Sequence, residues 1–339
     1  MRKLTPLLAA LLILSASTGC KSQPESISAN AASAPGAAAT PQPATQPATQ
    51  PTGPQPDDNA PPPDTTMGFD GHRALEQVKK QVAFGPRPAG SAALKQLQSY
   101  LKSELASYGC KFDVDDFNVD TPAGNKSMEN ILVKIPGEKP GIILLGTHYD
   151  TKILEGFVGA DDGASSTAVM LEIARNLCAQ PPRRYAVWIA FFDGEEATKF
   201  EWSDADSVYG SREMTARLAN SGDLPKVKAF LLADLVGGKN AHFKKDTSST
   251  SALVDEVWKV AANLGYSDIF VNETTAIGGD DHFPFTKRHV PSVDVIDLDI
   301  QSDVPYWHTV NDTTDKLSAK SLAITGHVFL ATVQHLQSK

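Results

Sequence analysis

Cysteine, positive charge and long apolar runs are what this chain of 339 residues has least of. Its three cysteines, Cys20, Cys110 and Cys178, allow one internal pair at most. Lysine and arginine together number 31 against 40 acidic residues, a formal charge of −9. That balance excludes nucleic acid and anionic lipid surfaces as expected partners. It becomes more acidic still, at −11, if the two cations Arg2 and Lys3 are removed with a leader. The N-terminal apolar stretch Leu7 to Leu14 is too short to span a bilayer. After about residue 70 no second linker interrupts the chain, which excludes a second large domain.

Residues 1–20 read as a targeting segment: Arg2 and Lys3, then the apolar stretch, then the small-residue run Ser17-Thr18-Gly19-Cys20. They resemble a lipoprotein signal, although Ser17 stands where Leu is usual. Cleavage before Cys20 with lipid on its thiol would anchor the chain to a bacterial envelope membrane, facing the periplasm or exterior. Residues 21–66 are rich in Ala, Pro, Gln, Ser and Thr and carry the near-repeat Gln-Pro-Ala-Thr-Gln-Pro-Ala-Thr. Such text buries too little apolar surface to offset its ordering entropy and predicts a disordered tether. Residues 67–339 are then the one folded domain, expected to be a monomer. In an exported compartment Cys110 and Cys178 are free to pair or to remain as two buried thiols.

In the domain, apolar spacing predicts helices over 71–83 and 91–108, the second on Leu94, Leu97, Leu101 and Leu105. Strands are expected at 112–119, 130–135 and 141–145, the last two joined by a Pro-Gly-Glu-Lys-Pro turn. Helix 163–178, strand 185–192, helix 207–219, strand 227–233, helix 250–264, strand 291–298 and helix 318–336 follow. This alternation predicts an α/β fold: a single globular domain with a mixed, mostly parallel central sheet flanked by helices.

The chemistry-bearing residues gather where those strands end. Tyr185-Ala-Val-Trp-Ile-Ala-Phe-Phe reads as a buried strand and runs into Asp193-Gly-Glu195-Glu196. Two adjacent carboxylates repel, and the repulsion is relieved when one binds a cation and the other shares a proton. His148-Tyr-Asp150 follows the strand Ile142-Ile143-Leu144-Leu145, with Asp150 suited to fix the tautomer of a ligating imidazole. Asp161-Asp162-Gly163 precedes a helix, where Asp161 is the better candidate for a simple N-cap. Asp234 closes Phe230-Leu-Leu-Ala233, and His308 follows Pro305-Tyr-Trp307 in a loop. Each alone is commonly structural. Together they supply imidazole and carboxylate donors that suit zinc with one position open for substrate, and whichever glutamate of the pair is not a ligand is left as general acid/base.

These motifs resemble the zinc aminopeptidase superfamily, and within it the glutaminyl-peptide cyclotransferases (glutaminyl cyclases). The superfamily likeness rests on His148-Tyr-Asp150, Gly159-Ala-Asp-Asp162, Glu195-Glu196, Asp234 and His308. The cyclase likeness rests on Phe191-Phe-Asp-Gly-Glu-Glu-Ala197 with Trp202-Ser, Asp206-Ser-Val-Tyr-Gly-Ser211, Asp234-Leu-Val-Gly237, Asp280-Asp-His-Phe-Pro-Phe285 and Trp307-His-Thr309. It implies a zinc aminopeptidase-like fold and one zinc held by Asp162, Glu196 and His308, with Glu195 as acid/base. It further implies a carboxylate network of Asp234 and Asp280, and a substrate pocket shaped by Trp202 and Trp307. The implied reaction closes an N-terminal glutamine of a peptide or protein to pyroglutamate with loss of ammonia.

Two departures stand out. Asp294 occupies a position where animal glutaminyl cyclases carry a pocket His, and the stretch between Asp297 and Trp307 is longer than theirs. The competing expectation is a two-zinc aminopeptidase that also uses His148 and Asp234 as ligands and hydrolyses N-terminal residues.

Overall fold

Helix α2 (Ala92–Ser107) shows how local sequence becomes structure in this molecule. Ser91 caps it by accepting the Leu94 N–H at 3.0 Å. Leu94, Leu97, Leu101 and Leu105 then recur on one face, and all four are fully buried. Burying each such side chain contributes about 1.5–3 kcal/mol. Helix α1 (Gly71–Val82) is capped likewise by Asp70.

The computed structural model describes residues 59–339 apart from Pro182, so the expected leader and most of the expected tether lie outside the described residues. The described end of the segment assigned by composition to the tether is ordered. Pro63–Thr65 is a 3-10 turn, and the buried Thr66 hydroxyl donates to the Phe69 carbonyl at 2.6 Å. Among the described residues no helix is long and apolar enough to cross a membrane.

After α2 come β1 (Phe112–Thr121), β2 (Gly124–Ile135), β3 (Gly137–His148), α3 (Ala164–Cys178), β4 (Arg183–Phe192), α4 (Tyr209–Ser221) and β5 (Val227–Asp234). They are followed by β6 (Phe243–Asp246), α5 (Ser251–Asn263), β7 (Phe270–Thr275), α6 (His282–Thr286), β8 (Ser292–Ile296) and α7 (Ala319–Gln337). The main sheet runs β1-β2-β4-β3-β5-β8, with β6 and β7 as a separate parallel pair. Strands β4, β3, β5 and β8 are mutually parallel, and β1 and β2 are antiparallel additions.

The chain departs here from the sequence expectation. β2 and β3 do not form neighbouring strands: β2 ends at Ile135 opposite Val187, and the chain steps around the start of β4 to Gly137 opposite Arg183. The expected Pro-Gly-Glu-Lys-Pro turn is mostly the irregular first part of β3, with a register shift between Lys139 and Ile142. The antiparallel hairpin is β1–β2. β6, β7 and the short α6 have no counterpart in the expected element order.

Both faces of the parallel strands are covered. On β5, Ala229, Leu231 and Ala233 join the larger apolar cluster under α1, α2, α3, α5 and α7. The alternate residues Phe230 and Leu232 join a smaller cluster with Met214 and Leu218 of α4 and Phe285 of α6. The Phe192 and Phe230 rings meet over Gly146 of β3, where a Cβ would stand 2.6 Å from Phe230. Cys110 and Cys178 form a disulfide, tying the start of β1 to the end of α3 with Cα atoms 5.2 Å apart. The parallel strands deliver their carboxyl ends to one rim, the place where open α/β sheets bind ligands.

Candidate active site

The rim is built from the loops after β3, β4 and β5 and from the segment after β8. His148 is the last residue of β3. Gly163, at φ +90°, lets α3 start directly against it: a Cβ there would stand 2.7 Å from the Asp150 carbonyl and 3.1 Å from His148 Cε1. The Glu195-Glu196 turn is pinned by one carboxylate, since Asp150 accepts the Glu195 N–H at 3.0 Å and the Glu196 N–H at 3.4 Å. Asp150 lies 3.6 Å from His148 Nδ1, so it braces this turn as well as facing the imidazole.

Two groups of three donors share Asp162. In the first, His308 Nε2 lies 3.1 Å from Glu196 Oε1 and 3.3 Å from Asp162 Oδ2. In the second, His148 Nε2 lies 3.3 Å from Asp162 Oδ1 and 3.1 Å from Asp234 Oδ1. Burial alone would push the Asp162 carboxyl up, but the His148 and His308 rings outweigh it and hold the group below the usual range. Burial opposes a proton on His308, yet Asp162 and Glu196 raise its ring to about 10. Burial, together with the repulsion of Glu196 and Asp280, lifts Glu195 well above the usual carboxyl range, against the opposing pull of His148.

His308 adopts φ +50°, rare outside glycine. It is held there by stacking on Trp307, centroids 3.9 Å apart, and by the edge of Phe157 at 5.9 Å. The loop carrying it is tied back to the β3–α3 segment twice. Asp312 accepts the backbone N–H groups of Asp161 and Asp162 at 2.8 and 3.1 Å, and Tyr306 donates to Asp161 at 2.8 Å. Asp161 is therefore no helix cap. It also accepts the Gly237 N–H at 2.8 Å, and the N-cap position of α3 belongs to Gly163.

These side chains open into a cleft of about 260 Å³ walled by Trp202, Trp307, Ile277, Leu298 and the exposed Phe200. Glu195, Asp234 and Asp280 line it with Asp162, Glu196 and His308. All eight site residues expected from the sequence thus border one space. Sequence reasoning missed Lys152, which is 4% exposed with its ammonium 3.4 Å from Glu196 Oε2. Its place four residues after His148, past the same strand end, was the available signal. Asp312 and Tyr306 were missed too, because bracing residues carry no motif.

The donors fit a divalent cation. Five carboxyls line the cleft against Lys152 and His308, and Asp162 Oδ2 accepts no hydrogen bond. Imidazole and carboxylate together suit zinc.

Residues 130–333 match the family model of peptidase family M28. The chain belongs to that family. Within M28, it is 40% identical to an Acidobacteriales bacterium glutaminyl cyclase of known structure, covering 80% of this chain and 95% of that one with a TM-score of 0.74. It is 29% identical over 306 residues to a glutaminyl-peptide cyclotransferase of Dictyostelium discoideum, 75% of this chain and 83% of that protein. A zinc-dependent exopeptidase of Parabacteroides distasonis is also similar, at 30% identity with a TM-score of 0.69, covering 77% of this chain and 97% of that one. The zinc aminopeptidase-like fold and the likeness to glutaminyl cyclases expected from the motifs agree with these matches.

Proposed function

We propose that this M28 chain is a glutaminyl-peptide cyclotransferase, an acyltransferase that closes N-terminal glutamine of peptides or proteins to pyroglutamate and releases ammonia. The observation that carries the reading is Glu195 standing beside the Asp162–Glu196–His308 group in a cleft with two indole walls. One zinc ion per chain is the ion count proposed, held by those three residues. When bound, it supplies a Lewis acid that polarises the γ-carbonyl and stabilises the oxyanion that develops on it.

The chain's own residues do the rest. The substrate's α-nitrogen bonds to its side-chain Cδ, and the bond from Cδ to the amide nitrogen breaks. Glu195 accepts the proton that the amine sheds and returns it to the departing nitrogen, which leaves as ammonia. Lys152 steadies Glu196, and Asp234 and Asp280 surround Glu195 with fixed acceptors. Because nucleophile and electrophile belong to one residue, the cleft must fold the side chain back and keep water away. Trp307 and Trp202 provide that apolar enclosure, and Asp294 takes no part in the cleft wall, being fully buried.

We further propose export to the bacterial envelope with lipid at Cys20, a monomeric state, and no nucleic-acid partner. The Cys110–Cys178 disulfide supports an oxidising compartment.

Incubating the domain from about residue 59 with zinc and Gln-Ala peptides tests the activity. Mass spectrometry should find each peptide lighter by one ammonia and otherwise intact. A free N-terminal residue with a shortened peptide would instead make the chain a two-zinc aminopeptidase, using the His148–Asp162–Asp234 group as well.

A further inference from the structure

Behind the cleft, on the far side of Asp280, lies a charged group that the reaction does not use. Asp280, Asp281, His282 and Asp294 are each at most 2% exposed. Asp280 Oδ2, both carboxyl oxygens of Asp294 and His282 Nδ1 have no hydrogen-bond partner. Donor atoms of Asp280, His282 and Asp294 nevertheless lie within 4.8 Å of one another. Orphaned oxygens this deep are costly, and two carboxylates in one dry space cannot both stay ionised. A proton placed between Asp294 and Asp280 satisfies an oxygen on each.

The surroundings favour that arrangement. His282 stands between two carboxyls, with Nε2 3.4 Å from Asp246 and Nδ1 3.5 Å from Asp294. Asp246 is already well supplied, accepting from Ser248, from Ser249 at 2.8 Å and from the Ile277 N–H at 3.1 Å. Among the described residues no hydrogen bond reaches the Asp294 carboxyl, from which His282 Nδ1 stands off at 3.5 Å. The Asp294 backbone N–H donates to Ser249 Oγ at 3.0 Å, which fixes its position on β8. The titratable groups facing it are Asp280 just before α6, His282 at the start of α6, Asp246 from β6 and Asp234 from the end of β5. Burial and these acids lift its carboxyl well above the usual range.

We propose that Asp294 carries a proton and donates it to Asp280, so that the pair holds one negative charge and presents Asp280 to the cleft as a fixed acceptor. Resting on the cyclase reading, this makes Asp294 a positioning residue that acts on Glu195 through Asp280. It neither gives nor receives a proton in turnover, since the amine's proton passes through Glu195 to ammonia.

Infrared difference spectra between the zinc-loaded wild type and Asp294→Asn at neutral pH test the proton directly. A protonated carboxylic acid C=O band should be present in the wild type and absent in the variant. A difference confined to carboxylate bands overturns the proposal, as does a second metal ion that the wild type holds and the variant loses. In kinetics, the Asn amide still donates to Asp280, so kcat should fall no more than about threefold. Asp294→Leu removes the donor and should lower kcat about 30-fold, equivalent to about 2 kcal/mol, with KM nearly unchanged. Equal losses in Asn and Leu overturn the donation. If Leu does not fold, the infrared bands and the Asn variant decide. If no glutamine peptide is cyclised at all, the functional reading fails, while the infrared result still settles the proton.

Discussion

Along β5 the chain passes from one kind of chemistry to another. Phe230 to Ala233 are buried among apolar side chains on both faces, every one at 1% exposure or less. The next residue is the site carboxyl Asp234, which burial lifts to about 7. After it Leu235 takes φ +47°. The same break recurs elsewhere on the rim: Val208, at φ +45°, follows the Glu195-Glu196 loop, and His308 is at +50°. Such conformations cost of order 1–3 kcal/mol each and persist only where the surroundings over-determine them. The body of the domain, with its capped helices, double-sided core and disulfide, is what supplies that constraint. Stability and chemistry are thus separated in space, which makes the contrast testable from either side.

The largest effect is expected from His308→Ala. Zinc content by mass spectrometry should fall to background and turnover with it; stoichiometric zinc would remove His308 from the ligands. Next comes Glu195→Gln, which should keep zinc and lose about 10²–10⁴-fold in kcat, the usual range for an acid/base residue. Loss of zinc in that variant would mean that the two adjacent glutamates have exchanged roles. Neither rim variant should weaken the apolar core. From the body, replacing Cys110 and Cys178 together by Ser should cost about 2–4 kcal/mol in denaturant unfolding. The activity of the folded fraction should stay near wild type, and a large loss of kcat would break the separation.

The smallest effect concerns Asp297, just past β8, which burial raises to about 7. In the unfolded chain an Asp ionises near pH 3.9. Its contribution to stability is therefore full below about pH 4 and is lost as pH rises through 7. Asp297→Asn should raise Tm relative to the wild type by about 3 °C more at pH 8 than at pH 5. A difference that does not change with pH would show that Asp297 does not titrate in this window.

Much of this was legible in the sequence, for identifiable reasons. The long helices and the buried strands carry their period in the text, so α2, β4 and α7 fall within a residue or two of expectation. The candidate site was visible because His148, the Glu195-Glu196 pair and Asp234 stand at or just past the ends of apolar strands. Strand order was not, since the step around β4 turns on a pairing partner far along the chain. Nor were β6 and β7, whose residues Phe243-Lys-Lys-Asp and Phe270-Val-Asn-Glu-Thr-Thr show no sustained alternation. Asp150 was read as a partner for His148 alone, and its backbone bonds to Glu195 and Glu196 could be found only in three dimensions. Asp294 was flagged as a pocket position but lies behind the wall.

The segment 306–312 brings the Tyr306 brace, the Trp307 wall, His308 and the Asp312 clasp to the rim together, after every strand of the main sheet has already appeared in the chain. Synthesis runs in that same direction. A chain made in that order contains Asp162 and Glu196 well before it contains His308, the third member of their group. On the ligand set proposed above, the metal group is complete only once that late segment has docked.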